Sequence, residues 1–293
     1  MVAVDAIAQD IRRGLIWVAL PLALVSVLRL GLEPHYWSGR YLCWLLLIPV
    51  YVIFQVLVLR RATALRIRLS LLLNFAAINV GYIMIGVALH SPTGWRADDL
   101  VYGIDRWIFR GDPQRFLAHL QTPWLSTLTM VGYLAFAGYL VYLFLAEAFV
   151  LTPATGRLQL GLMRLYGFGF SGYLLLPAAG PAFHHPSLLH PIAHSSFSAR
   201  LQPWVLGNCS GVDVCPSIHT AVCCFMLVWT FQHHRRLFPF LVLPSAALLL
   251  GTVYLQYHYL LDLPFGLLLG AGAALSVSYV QAPPVHPSPS PAG

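Results

Sequence analysis

Eight apolar runs organise the chain, roughly residues 14–31, 41–59, 69–89, 124–151, 158–177, 219–232, 237–257 and 259–280. About 20 apolar residues in a helix span the hydrocarbon core of a bilayer, so the runs predict eight transmembrane helices. The sixth is short and needs its flanks to reach the interface. The first is long and closely followed by a second, which reads as a retained span rather than a cleaved signal peptide. The expected fold is all-α and polytopic. Residues 1–68 supply two N-terminal helices and residues 69–280 a six-helix core with outer loops 90–123 and 178–218. Residues 281–293 form a Pro-rich tail expected to lack regular structure. Within loop 90–123, apolar residues recur at helical spacing and predict one or two short interfacial helices.

Composition agrees with the pattern. Charged residues make up 9% of the chain, against about 25% in soluble domains. That excludes an ordinary soluble enzyme, a disordered chain and a nucleic-acid-binding module. All 17 basic residues are arginine, so an anion must be bound by Arg, His or backbone N–H. Arg12, Arg13, Arg60, Arg61, Arg66, Arg68, Arg157, Arg164, Arg235 and Arg236 fall on the side that carries both termini. The positive-inside rule makes that side cytoplasmic. The outer loops hold Asp98, Asp99, Asp105, Asp112, Asp213 and several histidines, which points the chemistry to the periplasm or lumen. Cys43, Cys223 and Cys224 read as packing residues, while Cys209 and Cys215 can pair if their loop faces an oxidising compartment.

Two stretches stand out at that outer face. In Pro216-Ser217-Ile218-His219-Thr220, Ser217 can cap a helix or hold an anion beside His219. In His258-Tyr259-Leu260-Leu261-Asp262, the i,i+4 spacing predicts both groups on one helix face. Asp262 can then hold one imidazole nitrogen and leave the other nucleophilic, with a second histidine as proton donor. An acid inside an apolar run is costly, which makes function the default reading.

These stretches resemble motifs of the type-2 phosphatidic acid phosphatase superfamily. Thr252, Tyr254, His258, Tyr259 and Asp262 fit the register of the branch that contains inositol phosphorylceramide synthases. Residues 173–181 and 105–113 are similar to further segments of that branch, over roughly residues 95–275. The resemblance implies that His258 is a nucleophile forming a phospho-enzyme, that Asp262 orients it, and that His219 is the general acid. It places Ser217 at the phosphate, with Thr252 and Tyr254 lining the site, and implies neither metal nor cofactor. The implied partners are a phospholipid donor and a lipid hydroxyl acceptor, or water in a lipid-phosphate phosphatase.

The chain departs from the superfamily phosphatases by lacking the first-motif Lys and Arg-Pro, and by carrying Thr252 where they have an arginine. Fewer cations favour a phosphodiester, with about one charge, over a monoester with about two. Arg106 and Arg110, one helical turn apart, are candidates to restore charge, as are Arg96 and Arg200. A non-catalytic transporter or scaffold is the alternative from another class, and the acid at position 262 argues against it. His190 and His194 have zinc-compatible spacing, but Pro191 favours loop solvation. Asp98 and Asp99 are read as helix caps or headgroup ligands, and Gly161, Gly167, Gly169 and Gly172 as close-packing positions.

Overall fold

The structure is a computed structural model that describes residues 2–33, 36–90, 94–186 and 196–278. Every predicted span is helical: α1 (Val2–Leu32), α2 (Gly39–Val58), α3 (Ala64–Leu89), α6 (Pro123–Phe149), α7 (Thr155–Leu175), α10 (Ile218–His233), α11 (Phe238–Tyr254) and α12 (Asp262–Leu275). Of these, α1, α2, α3 and α6 are long and apolar enough to cross a membrane, and α11 and α12 are shorter apolar helices. Loop 90–123 contains two helices, α4 (Asp98–Ile108) and α5 (Pro113–His119). Loop 178–218 also carries helix, α8 (Pro181–His184) and α9 (Ser196–Asn208), which its Pro- and His-rich composition did not predict. The Pro-rich tail, His190 and His194 lie outside the described residues.

The outward faces are apolar. On α1, Ile16, Leu20, Leu24 and Val27 are all exposed at helical spacing. Such a stripe is stable against lipid and not against water. Polar side chains in the spans turn inward instead. Ser70 Oγ donates to Gln55 Oε1 at 2.6 Å, Tyr51 OH to Asn74 Oδ1 at 2.7 Å, and Asn74 Nδ2 to Gln159 Oε1 at 3.2 Å. This network ties α2, α3 and α7 together where no water competes.

The α1–α7 contact is the most extensive helix pair. Its closeness depends on Gly167, where an added Cβ would lie 2.1 Å from the Trp17 carbonyl oxygen. At Gly161, Gly169 and Gly172 an added Cβ would meet the side chains of Phe225, Ile218 and Pro216 at 2.5, 2.8 and 2.2 Å. Gly167→Ala is therefore expected to destabilise the protein by about 1–3 kcal/mol through overpacking. Gly31→Ala, whose Cβ would meet nothing, should be neutral or mildly stabilising. Thermal unfolding of both variants in detergent checks the contrast.

The structure corrects one local expectation. His258 and Asp262 do not share a helix: α11 ends at Tyr254 and α12 starts at Asp262. Gln256, at φ 63°, turns the chain through the left-handed region. The Tyr257 and His258 N–H groups then both donate to the Thr252 carbonyl, at 3.0 and 2.8 Å. An apolar run thus becomes a buried loop whose backbone is anchored to the helix it leaves.

Candidate active site

The helices that carry the site meet without side chains between them. An added Cβ at Gly266 would lie 2.5 Å from the Ser217 carbonyl oxygen, and one at Gly270 2.1 Å from that of Ala221. Small residues four apart let α12 lie directly on α10. That approach brings Asp262 to Ser217, whose N–H donates to the Asp262 carbonyl at 3.3 Å. Ser217 is the N-cap of α10, its Oγ accepting from the Thr220 N–H at 3.2 Å. His219 follows in the first turn.

His258, 3% exposed, enters from the α11–α12 loop. Its Nδ1 lies 3.0 Å from the Val214 carbonyl oxygen and 3.4 Å from Asp262 Oδ2. Both are acceptors, so in the neutral ring Nδ1 carries the proton and Nε2 presents its lone pair. That Nε2 lies 3.5 Å from both Ser217 Oγ and His219 Nδ1, and the two rings are edge to face at 5.6 Å. Asp262 Oδ2 also accepts the Tyr259 N–H at 2.9 Å, at the start of α12, where the helix dipole favours a carboxylate. The arrangement is a nucleophile held by an acceptor pair, facing a second imidazole and a hydroxyl. It can attack phosphorus and protonate a leaving oxygen.

His219 is half-buried. Its Nε2 lies 3.2 Å from the Tyr133 hydroxyl, with the ring between Tyr133 and Phe136 of α6 at 4.9 and 5.6 Å. No motif marks Tyr133, and in sequence it is indistinguishable from interfacial tyrosines.

The loop is held from outside by α4, through two buried aspartates seven residues apart. Asp105 Oδ2 and Oδ1 accept the Leu260 and Leu261 N–H groups at 2.8 and 2.9 Å. Asp98 Oδ1 accepts from the Ala179 and Gly180 N–H groups and from the Tyr259 hydroxyl, at 2.9, 3.0 and 3.0 Å. Gly180 sits at φ 89°, and a Cβ there would lie 2.4 Å from the Tyr257 carbonyl oxygen. Asp98 is thus a clamp on main chain and a phenol, while Asp99 pairs with His184 Nε2 at 2.9 Å. Burial pushes the Asp105 carboxyl up, against the pull of the two amides. Burial, then the Asp262 and Asp105 carboxylates, pushes the Cys215 thiol up.

Ser217, His219, His258 and Asp262 are therefore together. The other candidates stand elsewhere. Thr252 Oγ1 donates back to the Leu249 carbonyl at 2.7 Å, and only the Thr252 carbonyl serves His258. The Tyr254 hydroxyl accepts the Thr122 N–H at 2.7 Å, tying α11 to the α5–α6 connection. Arg106 and Arg110 are exposed and line a shallow surface cleft with Gly103, Trp107 and Gly111. The spacing that places Asp98 and Asp105 inward turns Arg106 outward, while Arg110, at φ 51°, lies past the end of α4. Arg96 donates to the Gly211 carbonyl at 2.5 Å and lies 3.7 Å from Asp98. Cys209 and Cys215 are both free thiols.

Among the described residues, no group of three or more His, Cys, Asp or Glu side chains is arranged to hold a metal. A sequence model described as the PAP2 superfamily matches residues 100–276. That span runs from α4 to the end of α12 and contains both histidines, Asp262, Ser217 and the Asp105 clamp. No individual curated protein and no solved structure gives a significant match. With more than half of its length matched, and with that length enclosing the paired histidines, the chain belongs to the PAP2 superfamily.

Proposed function

We propose that the protein is a lipid phosphotransferase of the inositol phosphorylceramide synthase type, acting through a phosphohistidine on His258. The observation that carries this reading is the orientation of His258: Nδ1 held by Val214 and Asp262, Nε2 aimed at His219 and Ser217. His258 Nε2 attacks phosphorus, and the bond to the lipid alcohol breaks. His219 Nδ1 gives its proton to the departing oxygen. In the second half, an acceptor lipid hydroxyl attacks the phosphorus and loses its proton to His219 Nδ1. The N–P bond breaks and the headgroup leaves on the acceptor.

The preference for a diester follows from charge. Among the described residues no arginine hydrogen-bonds or ion-pairs with His219, His258 or Ser217, while the carboxylates of Asp98, Asp105 and Asp262 lie behind the loop. Such a site suits about one negative charge on the phosphorus better than two. The arginine distribution supports cytoplasmic termini and an outward-facing site. The partners are a phospholipid donor and a lipid hydroxyl acceptor.

A headgroup-labelled diester lipid, offered in detergent with and without diacylglycerol or ceramide, tests the reading. The labelled product is expected only when an acceptor is present. Rapid, acceptor-independent release of phosphate from a monoester lipid would overturn transfer and identify a phosphatase that uses water.

A further inference from the structure

We propose that Tyr133 is the positioning residue of His219, pinning Nε2 so that Nδ1 is the nitrogen that gives and takes the proton. The inference rests on the phosphohistidine reaction proposed above. It is drawn from the order of hydrogen-bond partners through the site. His258 Nδ1 faces two acceptors, so the neutral ring leaves Nε2 bare. His219 Nδ1 stands 3.5 Å from that bare nitrogen, and two facing lone pairs repel. The proton of a neutral His219 therefore sits on Nδ1, and its own Nε2 is bare. The group at that nitrogen, 3.2 Å away, is the Tyr133 hydroxyl, which donates to it.

The phenol serves the working cycle because it can also accept. When an anionic phosphodiester occupies the space before the two rings, its charge favours the imidazolium form of His219. The second proton then sits on Nε2, and the phenol turns its oxygen to accept it. The leaving oxygen takes the Nδ1 proton as its bond to phosphorus breaks, leaving His219 neutral with Nε2–H held by Tyr133. Nδ1 is now bare and aimed at the acceptor hydroxyl, whose proton it takes as that oxygen attacks. Protons balance over the two halves, and the ring never needs to flip.

A carboxylate in this place would accept but not donate, and would hold the imidazolium too firmly to discharge it. Phenylalanine would do neither. The tyrosine ring is itself fixed, packed 4.9 Å from His219 on one side and 5.0 Å from the Tyr257 ring on another. The position of the hydroxyl is thus set by packing rather than by a second hydrogen bond.

The test compares leaving groups in the full-length protein in detergent. One diester releases an alkyl alcohol, which needs a proton; the other releases nitrophenolate, which does not. Tyr133→Phe should lower kcat on the alkyl diester by about 10- to 100-fold with KM nearly unchanged, the range of a weakened general acid. On the nitrophenyl diester the first-turnover burst of nitrophenolate, which reads the first half-reaction before His219 acts as base, should stay close to wild type. His219→Ala should show the same selectivity with a larger loss. An equal loss in the nitrophenolate burst, or no loss on the alkyl diester, would overturn the role of Tyr133. His258→Ala, run alongside, separates the two claims. If it still turns over, the phosphohistidine reaction itself is wrong. If it is inactive and His219→Ala is leaving-group selective while Tyr133→Phe is not, only the positioning claim falls.

Discussion

Alanine at position 258 is expected to remove lipid phosphoester turnover, by about 10⁴-fold or more, as loss of a covalent nucleophile does elsewhere. The fold should survive the change. The His258 N–H is held by the Thr252 carbonyl, that of Tyr259 by Asp262, and those of Leu260 and Leu261 by Asp105, all independent of the ring. What is lost is the nitrogen that faces Ser217 and His219 at 3.5 Å. The measurement is twofold: steady-state turnover of a headgroup-labelled lipid, and alkaline quench of the enzyme during turnover. Phosphohistidine survives alkali and is lost in acid, so label should stay on the wild-type chain and be absent from the variant. A variant that turns over within tenfold of wild type would remove His258 from the chemistry.

Asparagine at position 262 should cost less, about 10²- to 10³-fold in kcat with KM little changed. Replacing the aspartate of a serine-protease triad costs about 10⁴-fold because the imidazole is left in the wrong tautomer. Here the tautomer has a second guardian, since the Val214 carbonyl stands 3.0 Å from Nδ1. Asp262 adds charge: one oxygen serves both the Tyr259 amide and the ring, and stabilises the cation that develops on His258 as it attacks. The asparagine amide oxygen can accept from both partners but brings no charge. Turnover kinetics with thermal unfolding as a control decide the matter. A raised KM at unchanged kcat would mean that Asp262 serves binding rather than the chemical step.

Most of the bundle can be read from hydropathy alone, because a lipid-exposed helix must be apolar along its length. The outer helices α4 and α5 were legible for a related reason, the recurrence of Leu100, Ile104, Trp107 and Ile108 on an otherwise polar segment. Hydropathy fails where burial in protein and burial in lipid look alike. The stretch GTVYLQYHYLLDLPFG is mostly apolar, and its isolated Gln256, His258 and Asp262 do not announce that the helix stops and a loop is anchored to the Thr252 carbonyl. Motif register singled out Thr252 and Tyr254 as residues of the substrate site. It could not say that a carbonyl of one, and the remote hydroxyl of the other, are the parts in use.

The site was legible to the extent that its chemistry is local in sequence. Ser217 and His219 sit two apart, and His258 and Asp262 four apart; both pairs are close in space. Tyr133 reaches the site from a helix more than 80 residues earlier, and only tertiary packing reveals it. Arg106 and Arg110 illustrate the same limit. Their four-residue spacing was evident, but α4 ends before Arg110, and the face of Arg106 was decided by Asp98 and Asp105, whose amide partners lie in two distant segments.

Asp105 grips the reactive loop through peptide groups alone, at Leu260 and Leu261. Every residue except proline offers the peptide N–H, so Asp105 sets no demand on these side chains, and only Leu261, packed against the cluster of Val101, Val214 and Tyr259, is held apolar by its surroundings. Their number is not free. Inserting or deleting one residue between His258 and Asp262 would shift which amides meet the carboxylate and carry the imidazole out of line. Variation in this stretch should therefore appear as substitution without change of length, with proline excluded at both gripped positions. Libraries meant to alter lipid preference can randomise 260, and vary 261 among apolar residues, within that rule.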